Sequence, residues 1–204
     1  MQALLHPRTD HEREPILAWR LWRLHRDAGG DLRLAPTTPR ADWEPGVAIR
    51  ATCSGAHTRL YVVFNPELAP THRSPMPGCT CGIHAMKDGA RLARSMTPAA
   101  VIGRVAMWGR VIEHSKGWRA EFAYPSRLRL VCGARHHPFE PKGEPVTVAD
   151  TGRELVPLCE RHAGRRERDA RLEPGDVLAE LLATYRVDVL PADALGERSG
   201  GSGR

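Results

Sequence analysis

Residues 101–130 read VIGRVAMWGRVIEHSKGWRAEFAYPSRLRL, and this stretch decides the fold class. Two β-rich runs, 101–114 and 118–130, flank Ser115-Lys116-Gly117. A three-residue loop ending in glycine suits a type I turn closed by a left-handed residue, so the segment predicts a β-hairpin. That register sets His114 opposite Trp118, Glu113 opposite Arg119, Ile112 opposite Ala120, Arg110 opposite Phe122 and Trp108 opposite Tyr124. Glu113 and Arg119 then form an opposite-charge cross-strand pair. One face gathers Trp108, Arg110, Ile112, Phe122 and Tyr124. It suits either a core face with arginine snorkelling at its edge or an aromatic-basic binding face.

Outward from the hairpin, residues 16–24 mix arginine with Trp19, Leu21 and Trp22 as a strand does, and Gly29-Gly30-Asp31 turns the chain into Leu32-Arg33-Leu34. Short strands are expected over 47–52 and 60–64, and a short helix over 85–94. Residues 160–172 are helix-compatible. Asp176 can cap a helix reaching Tyr185, with Leu178, Leu181, Leu182 and Tyr185 on one stripe. The expected fold is mainly β with a few short helices, an α+β chain. Residues 1–14 are a flexible N-terminus, 15–97 a first β-rich repeat, 98–194 a second repeat with a C-terminal helix, and 195–204 a disordered tail.

The repeat is inferred from ligand-type residues. Cys53-x3-His57 recurs as Cys132-x3-His136 at an offset of 79, and Cys81-x2-His84 recurs as Cys159-x2-His162 at an offset of 78. Each quartet offers two thiolates and two imidazoles, the donor set of a closed tetrahedral zinc site. Zn2+ is the expected cofactor of both halves, since small β-rich units poor in aromatics gain most from such a staple. His137 competes with His136 in the second quartet. In the first, Cys79 or His72 can displace a histidine. Cys79-Thr-Cys81 can also be a redox or catalytic thiol pair, with His84 or His114 as the base for Cys81. No phosphate-binding glycine loop, dinucleotide fingerprint, His-Glu-x-x-His or Gly-x-Ser-x-Gly is present, so common enzyme classes lack their motifs.

The chain has 204 residues and a net charge of +6, a size for one domain or two small ones. Twenty-seven of its 30 basic residues are arginine, which discounts the total. Distribution is more telling, because residues 91–137 carry nine basic groups against Glu113 and Glu121. Such a concentrated field attracts an anionic partner. No apolar run approaches the roughly 18 residues of a membrane span. No secretory signal is evident, and the five cysteines are an odd number, so a cytoplasmic protein with thiols or metal ligands is expected.

The segments Cys79-Thr-Cys81-Gly-Ile-His84-Ala and 103–125, the latter containing Trp108, His114, Trp118, Arg119, Glu121 and Tyr124, resemble a family of uncharacterised bacterial proteins. The resemblance spans roughly residues 18–130 and implies no activity.

Three functions remain open. The first is a zinc-stabilised module binding single-stranded nucleic acid through Arg104, Trp108, Arg110, Arg119, Arg127 and Arg129. The second is an adaptor for a protein or a small ligand. The third is a zinc- or thiol-dependent enzyme at Cys79, Cys81 and His84.

Overall fold

The computed structural model describes residues 14–38, 41–53, 72–137, 140–164 and 168–196. The expected 60–64 strand, His57, residues 1–13 and the tail from 197 onward lie outside the described residues.

Strand β1 (Ile16–Arg26) is apolar on both faces. Ala18, Trp22 and Leu24 point to one side and Trp19 and Leu21 to the other, and all are buried. A strand covered on both faces reads as a near-continuous hydrophobic run rather than a simple alternation. β2 (Leu32–Pro36) returns antiparallel beside it. In the turn between them, Asp27 Oδ1 accepts from the backbone N–H of Gly29 and Asp31 at 2.9 and 3.0 Å. β3 shrinks to Ile49–Arg50.

The central hairpin forms from β5 (Val101–Glu113) and β6 (Gly117–Leu130), with a register that differs from the expected one. His114 and Gly117 exchange backbone hydrogen bonds at 2.8 and 3.3 Å, so the connection is the two residues Ser115 and Lys116. Glu113 lies opposite Trp118 and Ile112 opposite Arg119. Irregularities after Arg104 and Trp108 then place Trp108 opposite Phe122 and Arg104 opposite Arg127. Gly117 serves close approach rather than a left-handed turn. A Cβ there would lie 2.1 Å from the carbonyl oxygen of Ala85, on the strand packed alongside. Glu113 pairs with Lys87, not Arg119.

That neighbouring strand is β4 (Ile83–Met86), antiparallel to β6 from Ile83↔Ala120 to Met86↔Gly117. The helix expected over 85–94 therefore starts late. Ala85 and Met86 are held by the sheet ladder, which overrides their helix propensity. Only α1 (Gly89–Ala93) is helical, opened by Asp88, whose carboxylate accepts from Arg91 N at 2.9 Å.

Pairings β1–β5, β5–β6, β6–β4 and β4–β1 return to their start, so the sheet closes on itself. The last seam is a single bridge, Trp19↔Met86. Inside lie Trp22, Val101, Val105, Met107, Ala123 and Leu128, all with essentially no exposure. Each large apolar side chain so buried contributes about 1.5–3 kcal/mol. A smaller cluster, with Trp19, Leu21, Leu92 and Ile102, packs on the opposite face of β1.

The C-terminal part adds β7 (Thr147–Asp150), β8 (Leu155–Leu158), α2 (Glu160–Ala163), β9 (Ala170–Leu172), α3 (Pro174–Tyr185) and β10 (Asp188–Val189). The 160–172 segment is not one helix. α2 ends at Ala163, and residues 170–172 pair with β7. Helix α3 starts earlier than expected, with Glu173 at the N-cap, Pro174 at its head and Asp176 in its first turn. Its buried side is Val177, Leu181 and Tyr185, with Leu178 and Leu182 partly buried against the core. A 3-10 turn, Asp193–Gly196, carries regular structure two residues into the segment expected to be disordered. No described helix is long and apolar enough to cross a membrane.

Both hairpins thus belong to one sheet, which is antiparallel apart from the pairing of β10 with β6. Strand β6 is its hub. It pairs with β3, β4, β5 and β10 and then runs into Cys132.

Candidate metal centres

Two groups of four donors converge. In the first, ligand atoms of Cys132, His136, Cys159 and His162 all lie within 4.8 Å of one another. Cys132 follows β6, and its N–H donates to Gly143 O at 2.9 Å. Cys159 ends β8 and caps α2, which carries His162 one turn later. His162 Nδ1 is 3.2 Å from Cys159 Sγ and 3.5 Å from Cys132 Sγ, and the His136 and His162 rings meet edge to face at 4.7 Å. His136, rather than His137, supplies the fourth donor.

The surroundings of this cluster fit a cation. Cys132, Cys159 and His162 are buried, and His136 Nε2 is a buried nitrogen with no hydrogen-bond partner among the described residues. An orphaned buried polar atom is costly, and a metal bond removes that cost. Burial pushes the Cys132 thiol up, and burial, then the neighbouring His162, pushes His136 down. Both shifts favour uncharged forms in a dry pocket. A divalent cation reverses the thiol preference, and two thiolates neutralise its charge. Gly143 makes room, since a Cβ there would sit 2.9 Å from Cys159 Cβ and 3.2 Å from its sulfur.

The second group is Cys53, His72, Cys79 and Cys81, again within 4.8 Å. Cys53 Sγ lies 3.8 Å from Cys79 Sγ, and His72 Nε2 lies 3.4 Å from Cys81 Sγ. Cys81 N–H points at Cys79 Sγ at 3.3 Å, which turns both thiols of the Cys-x-Cys segment toward one point. Gly82, at φ +124°, completes that tight turn, and a Cβ on it would strike Arg119 Cβ at 2.9 Å. The two thiols differ. Burial pushes Cys79 up to about 11. Burial also opposes ionisation of Cys81, but the polar neighbours Ser74, Cys79 and His72 outweigh it and bring Cys81 down to about 6.

His84 is not in this group. It sits exposed on β4, and its Nε2 bonds Thr80 O at 2.8 Å. The donor set is therefore three cysteines and His72, not the Cys-x2-His pair. The equal offsets survive for Cys53/Cys132 and Cys81/Cys159 and not for His84/His162, His57 lying outside the described residues, and the settings differ too. Cys81 precedes a strand, whereas Cys159 follows one.

Two buried polar residues of β6 hold this second site. Arg119, 5% exposed, donates through one terminal nitrogen to Cys79 O and to Cys81 O (2.9 Å), and through Nε to His114 at 2.7 Å. Glu121, fully buried, accepts Arg73 Nε on both oxygens at 2.8 Å, and Arg73 is the residue after His72. Arg50 reaches the same carboxylate at 3.4 Å, and Ala51 N donates to Glu121 O at 2.7 Å, both just before Cys53. Burial disfavours the Glu121 carboxylate, but Arg73 and the Arg110 N–H outweigh it and hold it below the usual range. Sequence reading missed Glu121, Arg73 and Gly143. Glutamate at a sheet-facing position is the one local signal that could have flagged the first.

The six residues expected to form a nucleic-acid face are dispersed. Arg119 is inside the metal-site wall. Arg104 lies over the Trp19 ring at 4.1 Å, and Arg129 pairs with Glu144 at 2.8 Å. Trp108 stacks on Phe122 at 6.1 Å, and both are half-buried, as is Arg110. Arg127 alone of the six is exposed.

Searches among protein families, curated proteins and solved structures find no match to the chain.

Proposed function

We propose that the protein is a zinc-stabilised β module that works by binding, with both metal centres structural. The observation that carries this reading is the closure of each donor set. Four protein ligands, thiols and imidazoles only, lie within 4.8 Å in each cluster. A tetrahedral ion held by four protein donors has no position left for water or substrate, the opposite of a hydrolytic zinc site. Sulfur-rich tetrahedral sets select zinc over the hard cations. Each site also staples neighbours of β6. The Cys53/His72/Cys79/Cys81 site ties the approach to β4 to the end of β3, and the Cys132/His136/Cys159/His162 site ties the end of β6 to the β8–α2 corner. Elemental analysis of the purified full chain should return two zinc ions per chain. A folded chain without zinc, with an unchanged melting temperature in chelator, would overturn the reading.

A second reading, binding of single-stranded nucleic acid, is supported by one arrangement. Arg127 is exposed and directly opposite Arg104, on a hairpin that also offers the Trp108–Phe122 stack. Phosphate neutralisation with base stacking is how such binders work. Arg127→Ala should weaken a salt-sensitive complex with an oligonucleotide without lowering the melting temperature. Affinity unchanged between about 50 and 200 mM salt, where several phosphate contacts cost orders of magnitude, would eliminate it.

A further inference from the structure

The Cys79–Cys81 turn hangs on Arg119, and Arg119 in turn hangs on His114. From β6 the guanidinium donates one terminal nitrogen to Cys79 O and Cys81 O, the latter at 2.9 Å, and its Nε to His114 Nε2 at 2.7 Å. Arg119 is 5% exposed, and a Cβ built on Gly82 would lie 2.9 Å from its Cβ, so the turn sits directly against its stem. Among the described residues no carboxylate pairs with Arg119, and its acceptors are two carbonyls and one imidazole.

A guanidinium only donates, so this geometry fixes the protonation state of His114. Nε2 must present its lone pair, the ring is neutral, and its proton sits on Nδ1. A second proton can go only to Nε2. It would set N–H against N–H at 2.7 Å and bring two positive charges together where the buried Arg119 has little water to turn to.

His114 is exposed just after β5, so protons reach it, and its surroundings add to the conflict. Lys87, which follows β4, acts on it as a second positive charge, and the neighbouring Glu113 is engaged by Lys87. On β4 His84 lies opposite Arg119 and bonds Thr80 O, and Lys116 stands at the hairpin tip. Partial burial, then the charges of Arg119 and Lys87, hold the His114 imidazole below its ordinary range. The folded state therefore favours the neutral ring. Its stabilisation is complete above the ordinary imidazole value of about 6.5 and is lost as pH falls from there through the lower folded-state value.

We propose that His114 is a positioning residue and the proton-sensitive latch of the Cys53/His72/Cys79/Cys81 centre: a proton at Nε2 breaks the bond from Arg119, the guanidinium leaves the Cys79 and Cys81 carbonyls, and the turn that carries two of the four donors loosens its metal. This rests on the zinc reading of that cluster and adds acid-triggered release to it.

The test is loss of metal from the full chain loaded with cobalt(II), a zinc stand-in whose absorption separates a three-sulfur from a two-sulfur centre. It is followed between about pH 7.5 and 5, which brackets the imidazole range. In the parent the three-sulfur band should fall as His114 protonates. His114→Gln keeps an acceptor oxygen for Arg119 but takes up no proton. Its band should match the parent's at neutral pH and persist to a midpoint lower by about half a pH unit or more. His114→Ala removes the acceptor at every pH and should bind the metal about tenfold more weakly at neutral pH. Protonation of the ligands themselves is common to all three chains and drops out of the comparison, and the Cys132/His136/Cys159/His162 band is the internal reference. Coincident curves for the parent and His114→Gln overturn the latch and leave the zinc reading standing, as does an alanine variant that holds metal like the parent. Where one variant fails to fold, the other decides. A parent that takes up neither cobalt nor zinc at neutral pH overturns the zinc reading and the latch together.

Discussion

Arg73 Nε lies 2.8 Å from each oxygen of the buried Glu121 carboxylate, and this pair sets the position of the adjacent metal donor His72. The same carboxylate takes Arg50, so both segments that bring ligands from outside the Cys-x-Cys turn are moored to one side chain of β6.

Glu121→Gln should therefore weaken the Cys53/His72/Cys79/Cys81 site selectively. Outer partners of metal ligands are typically worth 10–100-fold in affinity. Competition with a zinc chelator should show that loss for one ion, while the ion at Cys132/His136/Cys159/His162 is released as in the parent. Equal release of both would show that Glu121 has no positioning role.

Cys159→Ser removes a donor from the other site and should lower the zinc content from two to one per chain. Unfolding should then begin in the β7–β8–α2 corner, which loses its tie to the end of β6. Hydrogen exchange would reveal faster opening of residues 147–163 with residues 101–113 still protected.

The two thiols of the Cys-x-Cys turn should differ in reactivity once the metal is stripped. With Cys81 near 6 and Cys79 near 11, Cys81 is mostly thiolate at pH 7 while Cys79 stays protonated. Brief iodoacetamide treatment of chelator-treated protein, read by mass spectrometry, should label Cys81 ahead of Cys79. Zinc should suppress both, and faster labelling of Cys79 would refute the assignment.

Tyr185 should make the fold sensitive to alkali. Its hydroxyl donates to Trp43 O and accepts from Leu34 N at 2.8 Å. Burial pushes its pKa to about 12. The folded state holds this proton more tightly than the unfolded chain, whose tyrosines ionise near 10. The contribution is thus complete below pH 10 and is lost as pH rises from 10 to 12, roughly 2–3 kcal/mol in all. Tyr185→Phe should cost about 1–3 kcal/mol at neutral pH and flatten the alkaline limb of the stability curve measured in urea.

Two glycines should respond oppositely to alanine. At Gly117 a Cβ meets the Ala85 carbonyl at 2.1 Å, so Gly117→Ala should force β4 from β6 and destabilise by about 1–3 kcal/mol. Gly175, in α3, has open space around its Cβ position and a helical backbone, so Gly175→Ala should stabilise by up to about 1 kcal/mol. Melting temperatures of the two variants check both signs.

The sequence by itself determined the β class, the hairpin of 101–130, the first strand and the C-terminal helix, because alternation and helical stripes are local patterns. It also pointed to Cys132, His136, Cys159 and His162, since a Cys-x3-His and a Cys-x2-His each bring two donors from one turn, and the structure brings these four together. Tertiary structure decided the rest. A one-residue shift at the tip of the hairpin reverses which side of the sheet each residue faces. That shift moves Arg119 from an expected surface pair with Glu113 into the wall of a metal site, bonded to the carbonyls of Cys79 and Cys81. His72 and Cys53 join Cys79 and Cys81 only through Arg73, Arg50 and Glu121, contacts between segments dozens of residues apart that leave no periodic trace in the chain. The charge excess of 91–137 was legible, but its use was not: burial took Arg119 into the wall of a metal site, Arg104 lies over Trp19 and Arg129 on Glu144, while Arg91, Arg94, Arg127 and Arg135 stay exposed, and only packing between distant segments sorts one set from the other.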